Sequence, residues 1–209
     1  MFNLIKKDMR LTFSSKITFL VPLLVLPVIS FLLDSFNEHF IVIYSVLTIV
    51  FLMTVTPFSY DAKDKTNLLV QSLPVTRREI VVSKYIGTFI NIIIGFIFTI
   101  IYIFILSSFG FVSFSVINPD VFLMATALGI TTSSILLPTN LLFAPKLANF
   151  ISFVIFAVSL NLFAFNDGIV LSFLNLFSDF KLGASVGIAV LYILSMLVSS
   201  IIYKNKKFY

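Results

Sequence analysis

A chain of 209 residues with 59% hydrophobic and only 11% charged residues is too apolar for a water-soluble domain, whose composition runs to roughly a quarter charged residues. Its net charge of +5 does not require a nucleic-acid partner, because a basic excess is the ordinary mark of loops beside an anionic membrane leaflet. The absence of cysteine excludes disulfides, thiolate metal sites and thiol catalysis, and leaves the redox compartment unmarked.

The chain opens on a basic segment, 1–16, in which Phe2, Ile5, Met9 and Phe13 recur near one helical face, with Lys7 and Asp8 away from it and Lys6 at its border. Such a segment is either an amphipathic helix lying on the inner membrane surface or a basic topology anchor with accidental periodicity. Uncharged runs of about 20 residues cross the roughly 30 Å hydrocarbon core as helices. Six runs qualify, at 17–33, 40–60, 85–107, 121–145, 147–165 and 182–203. They are continuously apolar, without period-2 alternation, so an all-α bundle is expected rather than a barrel. The first follows cations as a signal sequence would, but it is long and no Ala-x-Ala site follows, so an uncleaved span is expected. Pro22, Pro27, Pro57 and Pro138 fall within spans one, two and four. They either kink those helices around a cavity or are tolerated because neighbours repair the lost hydrogen bond. Between spans five and six, Gly168 to Ser178 is too short to cross, so the outer segment 166–181 is expected to hold a re-entrant or interfacial helix, with a surface-lying loop packed on the bundle as the competing reading.

Charge sets the orientation. Of the fourteen cations, all but Lys181 lie before span one, between spans two and three, between four and five, or after six. The alternate loops hold Asp34, Glu38, Asp120, Asp167 and Asp179. The positive-inside rule then places both termini in the cytoplasm of a multi-pass cell-membrane protein.

No Asp, Glu, Lys, Arg or His lies within a proposed span, which disfavours ion-coupled carriers, proton relays and voltage sensors. The single histidine, His39, adjoins Glu38 in an outer loop and is a solvated residue rather than a metal ligand. There is no G-x-x-x-x-G-K-[ST] phosphate loop, so no catalysis, metal or cofactor is expected in this chain. The spans do carry small polar groups, foremost Asn91, Thr131, Thr132, Ser133, Asn140 and Asn161. These either bond helix to helix or form a mildly polar wall along which an amphipathic substrate could slide.

The stretch from Asp61 to Lys84 is the one charge-dense interruption. Asp61 and Lys65 form an i,i+4 pair with the acid first, which favours a short helix to about Ser72; Pro74 stops it. Thr76 with Glu79 three residues on is a capping box that opens a second helix running into span three. Arg77 and Arg78 sit in its first turn, against the helix dipole, so lipid head groups or an acidic partner must favour them there. Leu68, Leu69 and Leu73 call for burial, against the membrane face or in a partner's groove.

The run from Asn67 to Tyr85, with Leu68-Leu69, Ser72-Leu73-Pro74-Val75-Thr76-Arg77, Ile80-Val81 and Lys84-Tyr85, resembles the Leu-Leu-x-Ser-Leu-Pro-Val-Ser-Arg-x-x-Ile-Val-x-x-Lys-Tyr loop of short ABC-2 type permeases. Thr76 stands for the usual Ser and keeps the cap, and Gln71 precedes the Ser-Leu-Pro. The basic start, the six spans and the total length extend the likeness over the whole chain. The resemblance implies a six-span, type V exporter-like bundle: one transmembrane domain over 1–209 with a surface-lying N-terminal helix and a re-entrant segment before span six. It also implies a cytoplasmic coupling helix within 61–84 that docks on a separate ATPase. Asp61, Lys65, Leu68, Leu69, Leu73, Pro74, Thr76, Arg77, Arg78, Glu79 and Lys84 are the residues it assigns to coupling. Two ATPase subunits would carry the ATP and Mg, and a second permease copy or a sister permease would complete the translocator. The short form is similar to permeases of phenol-soluble-modulin exporters and of antimicrobial-peptide immunity systems, which implies export of an amphipathic or hydrophobic substrate such as a peptide. A non-transporting immunity or assembly protein that binds a peptide is the competing reading.

Overall fold

The computed structural model describes residues 2–15, 20, 38–63, 75–110, 112, 117–164 and 181–205. Within them the fold is all-helical, with six helices: α1 (Phe2–Ser14), α2 (Glu38–Lys63), α3 (Arg77–Ser108), α4 (Pro119–Leu142), α5 (Pro145–Ala164) and α6 (Lys181–Asn205). Four of them, α2, α3, α4 and α6, are long and apolar enough to cross a membrane; the apolar part of α5 described, Pro145–Asn161, is shorter. The expected span at 17–33, apart from Leu20, lies outside the described residues, as do loop residues 64–74 and most of the expected outer segment.

The helix boundaries follow from local chemistry. Thr76 caps α3 in extended backbone, accepting from the Glu79 amide while the Glu79 carboxylate accepts from the Thr76 amide at 2.8 Å. Both halves of the expected capping box are therefore present. At the other end Gly110 adopts φ +76°, a left-handed conformation glycine takes without strain. Asn118 accepts from the Asp120 amide at 3.1 Å and Pro119 opens α4, placing a residue without an N–H where the helix has no use for one.

The core sits around α2, which packs on α1, α3, α4 and α5. Every residue from Phe40 to Val50 is buried. The chains of α2 and α3 approach closely at Gly95, where an added Cβ would stand 3.6 Å from the Val46 carbonyl oxygen. The same crossing carries a Ser45–Thr99 hydroxyl pair at 2.8 Å, the kind of small-residue contact that joins helices in lipid. Phe51 of α2 stacks on Phe156 of α5 with centroids 4.3 Å apart.

A second apolar cluster joins four other segments: Leu4 of α1, Ile80, Val81 and Tyr85 of α3, Leu137 and Leu141 of α4, and Tyr192 and Tyr203 of α6. With Asp61 in the last turn of α2 and the Ser59–Asn149 bond to α5 at 3.3 Å, this cluster defines one end of the bundle, its base. Along its length α6 leaves Val186, Val190, Leu194, Leu197 and Ile201 exposed, an apolar face suited to a lipid solvent.

Candidate functional site at the base of the bundle

Four charges from three helices meet at the base. The Lys7 ammonium of α1 lies 2.7 Å from Asp61 Oδ1 and 3.5 Å from Asp8 Oδ1. That of Lys84, in α3, lies 2.8 Å from Asp8 Oδ2 and 3.4 Å from Asp61 Oδ2. Cations and carboxylates thus alternate around a closed, neutral quartet in which each group touches two of opposite sign. The setting is largely dry: the Asp61 and Lys84 side chains are 5% and 9% exposed, Asp8 13% and Lys7 32%. Lys84 also stands 4.6 Å from the Phe58 ring centroid, a cation–π contact that compensates part of its lost hydration.

Asp61 lies in the last turn of α2, where the helix dipole disfavours an anion. Its two lysine partners supply the compensation that its own helix does not. The quartet therefore ties α1 to the end of α2 and the start of α3 by charge, in surroundings where an unpaired charge would be costly.

Arg77 resolves the same difficulty with opposite sign. Placed at the first residue of α3, its guanidinium Nη1 donates to the Lys204 carbonyl of α6 at 2.6 Å. The last carbonyls of a helix lack intrahelical donors and carry the negative end of its dipole. The cation that α3 disfavours is thereby accepted by the C-terminus of α6. Arg78 is exposed.

Above Arg77, Tyr85 knits α3 to α6. Its hydroxyl lies 2.7 Å from Ser195 Oγ and 2.8 Å from Ser199 Oγ, while the Tyr192 hydroxyl donates to the Tyr85 carbonyl at 2.8 Å. The Tyr85 and Tyr192 rings meet edge to face at 5.0 Å.

The helical face of α1 turned to the bundle is not simply its apolar one. Leu4 and Thr12 are buried and Asp8 lies between them, whereas Phe2 and Phe13 are exposed. Ile5 and Met9, on the apolar face, do turn inward and line a cavity with Asp8, Thr12, Thr54 and Asn91. The reason is Asp8: pairing with Lys84 rotates the Leu4, Asp8 and Thr12 row inward, and hydrophobicity alone does not encode that pairing. The cavity, about 20 Å³, has the size of a single water. Among the described residues, Asp8 Oδ1 and Asn91 Oδ1 accept no hydrogen bond.

Of the coupling candidates, Lys65, Leu68, Leu69, Leu73 and Pro74 lie outside the described residues, while Asp61, Thr76, Arg77, Arg78, Glu79 and Lys84 cluster where α2 ends and α3 begins. The substrate-path candidates are more scattered. Asn91 Nδ2 donates to Thr54 Oγ1 at 3.4 Å, from α3 to α2. Thr131 and Thr132 return their hydroxyls to Leu128 O, at 3.0 and 2.8 Å. Ser133 is fully buried, and its hydroxyl has no hydrogen-bond partner among the described residues. Asn140 bridges to Ser152 of α5 at 2.9 Å, and the exposed Asn161 donates to Ala157 O. Most of these groups bond within or between helices and do not face one shared space. Sequence reading missed Lys7 and Asp8; the lone acid in a basic segment, four residues from both Leu4 and Thr12, was the available signal.

A family model described as ABC-2 family transporter protein matches residues 3–204. No curated protein and no solved structure matches the chain.

Proposed function

The chain belongs to the ABC-2 family of transporter proteins, and from that premise we propose that it is the permease of an exporter, driven through its 61–84 loop by a separate ATPase. Membership makes the chain a multi-pass membrane protein and the permease subunit of an ABC transporter, whose family implies an ATPase partner. The observation that carries the finer part is the base itself. The quartet and the Arg77–Lys204 bond fasten α1, α2, α3 and α6 together around both ends of the loop. A push on that loop by a closing ATPase would reach four helices at once, in place of bending one linker.

Two ATPase subunits would hold the ATP and Mg, and a second permease, identical or a sister, would complete a translocator of the type V kind. The apolar exposure of α6 supports a lipid or subunit neighbour there. Six spans follow if 17–33 crosses, and both termini are then cytoplasmic within one transmembrane domain over 1–209. The cargo is an amphipathic or hydrophobic molecule, a peptide toxin or antimicrobial peptide by likeness to the phenol-soluble-modulin exporters. The neutral, Phe-rich spans suit such cargo, with Asn91, Thr131, Thr132, Ser133, Asn140 and Asn161 as polar points along the path.

Purification in mild detergent tests the reading. Wild type should retain a nucleotide-binding subunit that Leu73→Asp loses, and Arg77→Glu should lower substrate-stimulated ATP hydrolysis at unchanged protein level. Full retention and full activity in both variants would overturn coupling through this loop, and a wild type that retains no nucleotide-binding subunit would favour a peptide-sequestering role.

A further inference from the structure

Apart from Lys7, one face of α1 makes none of the base contacts described above. Leu4, Asp8 and Thr12 point into the bundle, whereas Asn3, Lys6, Lys7, Arg10, Leu11 and Ser14 line an open depression of about 570 Å³. That wall contains three cations and no acid. At 100° per residue, Phe2 and Phe13 fall between the inward face and Lys6, and they are 78% and 57% exposed. Exposed rings beside cations on a helix packed against an apolar bundle match the boundary between acyl chains and head groups. There rings enter the apolar side while ammonium and guanidinium groups meet phosphates. A free phosphate would answer the cations and leave both rings in water. A lipid answers both.

We propose that this face of α1 holds the phosphate head group of an anionic membrane lipid, with Lys6 and Arg10 as its ligands and Lys7 shared between the lipid and Asp61. Lys7 is suited to sharing, since it lines the depression and also reaches Asp61 at 2.7 Å while remaining 32% exposed. A head group that draws Lys7 outward leaves Asp61 to Lys84, so occupancy of the face and closure of the quartet are linked. Linkage is reciprocal: weakening the Lys7–Asp61 pair must strengthen lipid binding.

The chain has no tryptophan, so Phe13→Trp places a single reporter beside the cations. The full-length protein is reconstituted in phosphatidylcholine vesicles containing either brominated phosphatidylglycerol or brominated phosphatidylcholine, and the quenching of Trp fluorescence is compared. Stronger quenching by the brominated phosphatidylglycerol is expected. Lys6→Gln with Arg10→Gln should remove that preference, each cation contributing about a fivefold enrichment, while quenching by brominated phosphatidylcholine stays at the wild-type level, showing that α1 remains at the membrane. Asp61→Asn should raise the preference. Equal quenching by the two lipids, or a preference that survives loss of both cations, overturns the lipid site. Displacement by inorganic phosphate at constant ionic strength overturns it in favour of a free anion, and an unchanged preference in Asp61→Asn overturns the sharing of Lys7.

Discussion

Lys84 lies within 3.4 Å of both carboxylates of the quartet, and its side chain is almost fully enclosed. Truncation at this position removes two ion pairs at once and leaves Asp8 and Asp61 facing each other with only Lys7 between them. Removing one partner of a buried pair costs about 3–5 kcal/mol, whereas removing both restores neutrality and costs less. Lys84→Ala should therefore destabilise the detergent-solubilised protein by about that amount, and adding Asp61→Ala should recover part of the loss. Thermal unfolding of the two singles and the double closes the cycle; strict additivity would show that the charges act independently. At this scale the sequence was legible where partners are local. Thr76 and Glu79, three residues apart, form the expected cap. The same local rule pairs Asp61 with Lys65, which lies outside the described residues; among the described residues Asp61 also meets Lys7 and Lys84, 54 and 23 residues away. No helical spacing rule reaches that far.

Pro138 shows how an element can contain a break and use it. Proline has no N–H, so the carbonyl four residues earlier loses its intrahelical donor; that carbonyl belongs to Ser134, and Ser195 Oγ of α6 donates to it. The proline thereby creates an acceptor that attaches α6 to α4, the repair by a neighbour that sequence reading allowed for without naming the neighbour. Ser195→Ala should cost about 1 kcal/mol in the wild-type background. In Pro138→Ala, where an amide supplies the Ser134 carbonyl, the same change should cost much less, its remaining effect being the lost contact with Tyr85. A thermal-unfolding cycle over the four proteins reads the coupling, and its absence would mean the Ser195–Ser134 bond does not depend on the proline. Element edges were legible to within a few residues for the same local reasons. The span expected at 121–145 is α4, Pro119–Leu142, moved at its start by the Asn118 cap and ended before Pro145. Which face of α1 meets the bundle was not legible, because apolar periodicity does not register an ion pair that turns Asp8 inward.

Over the whole molecule, the charge count and the packing agree on which segments share an end. Lys7 and Lys84 meet at Asp61 and Arg77 meets the Lys204 carbonyl near the end of α6, and the Ser59–Asn149 bond brings the start of α5, near Lys146, to the same end. Sequence grouped these segments by counting cations, and the folded chain groups them by contact. The two are independent, because a topology rule acts on loops during insertion and the packing acts on side chains afterwards. Neither of them says which side of the membrane that end faces, and labelling can decide it. The chain has no cysteine, so single substitutions report alone. Ser14→Cys and Asn205→Cys mark the base, and Ser108→Cys marks the far end, at positions that are all exposed. With a membrane-impermeant maleimide on intact cells, Ser108→Cys should label, and the other two only after permeabilisation. The reverse pattern would put the quartet outside the cell, where no cytosolic ATPase could act on it, and would remove the physical basis for coupling through the 61–84 loop.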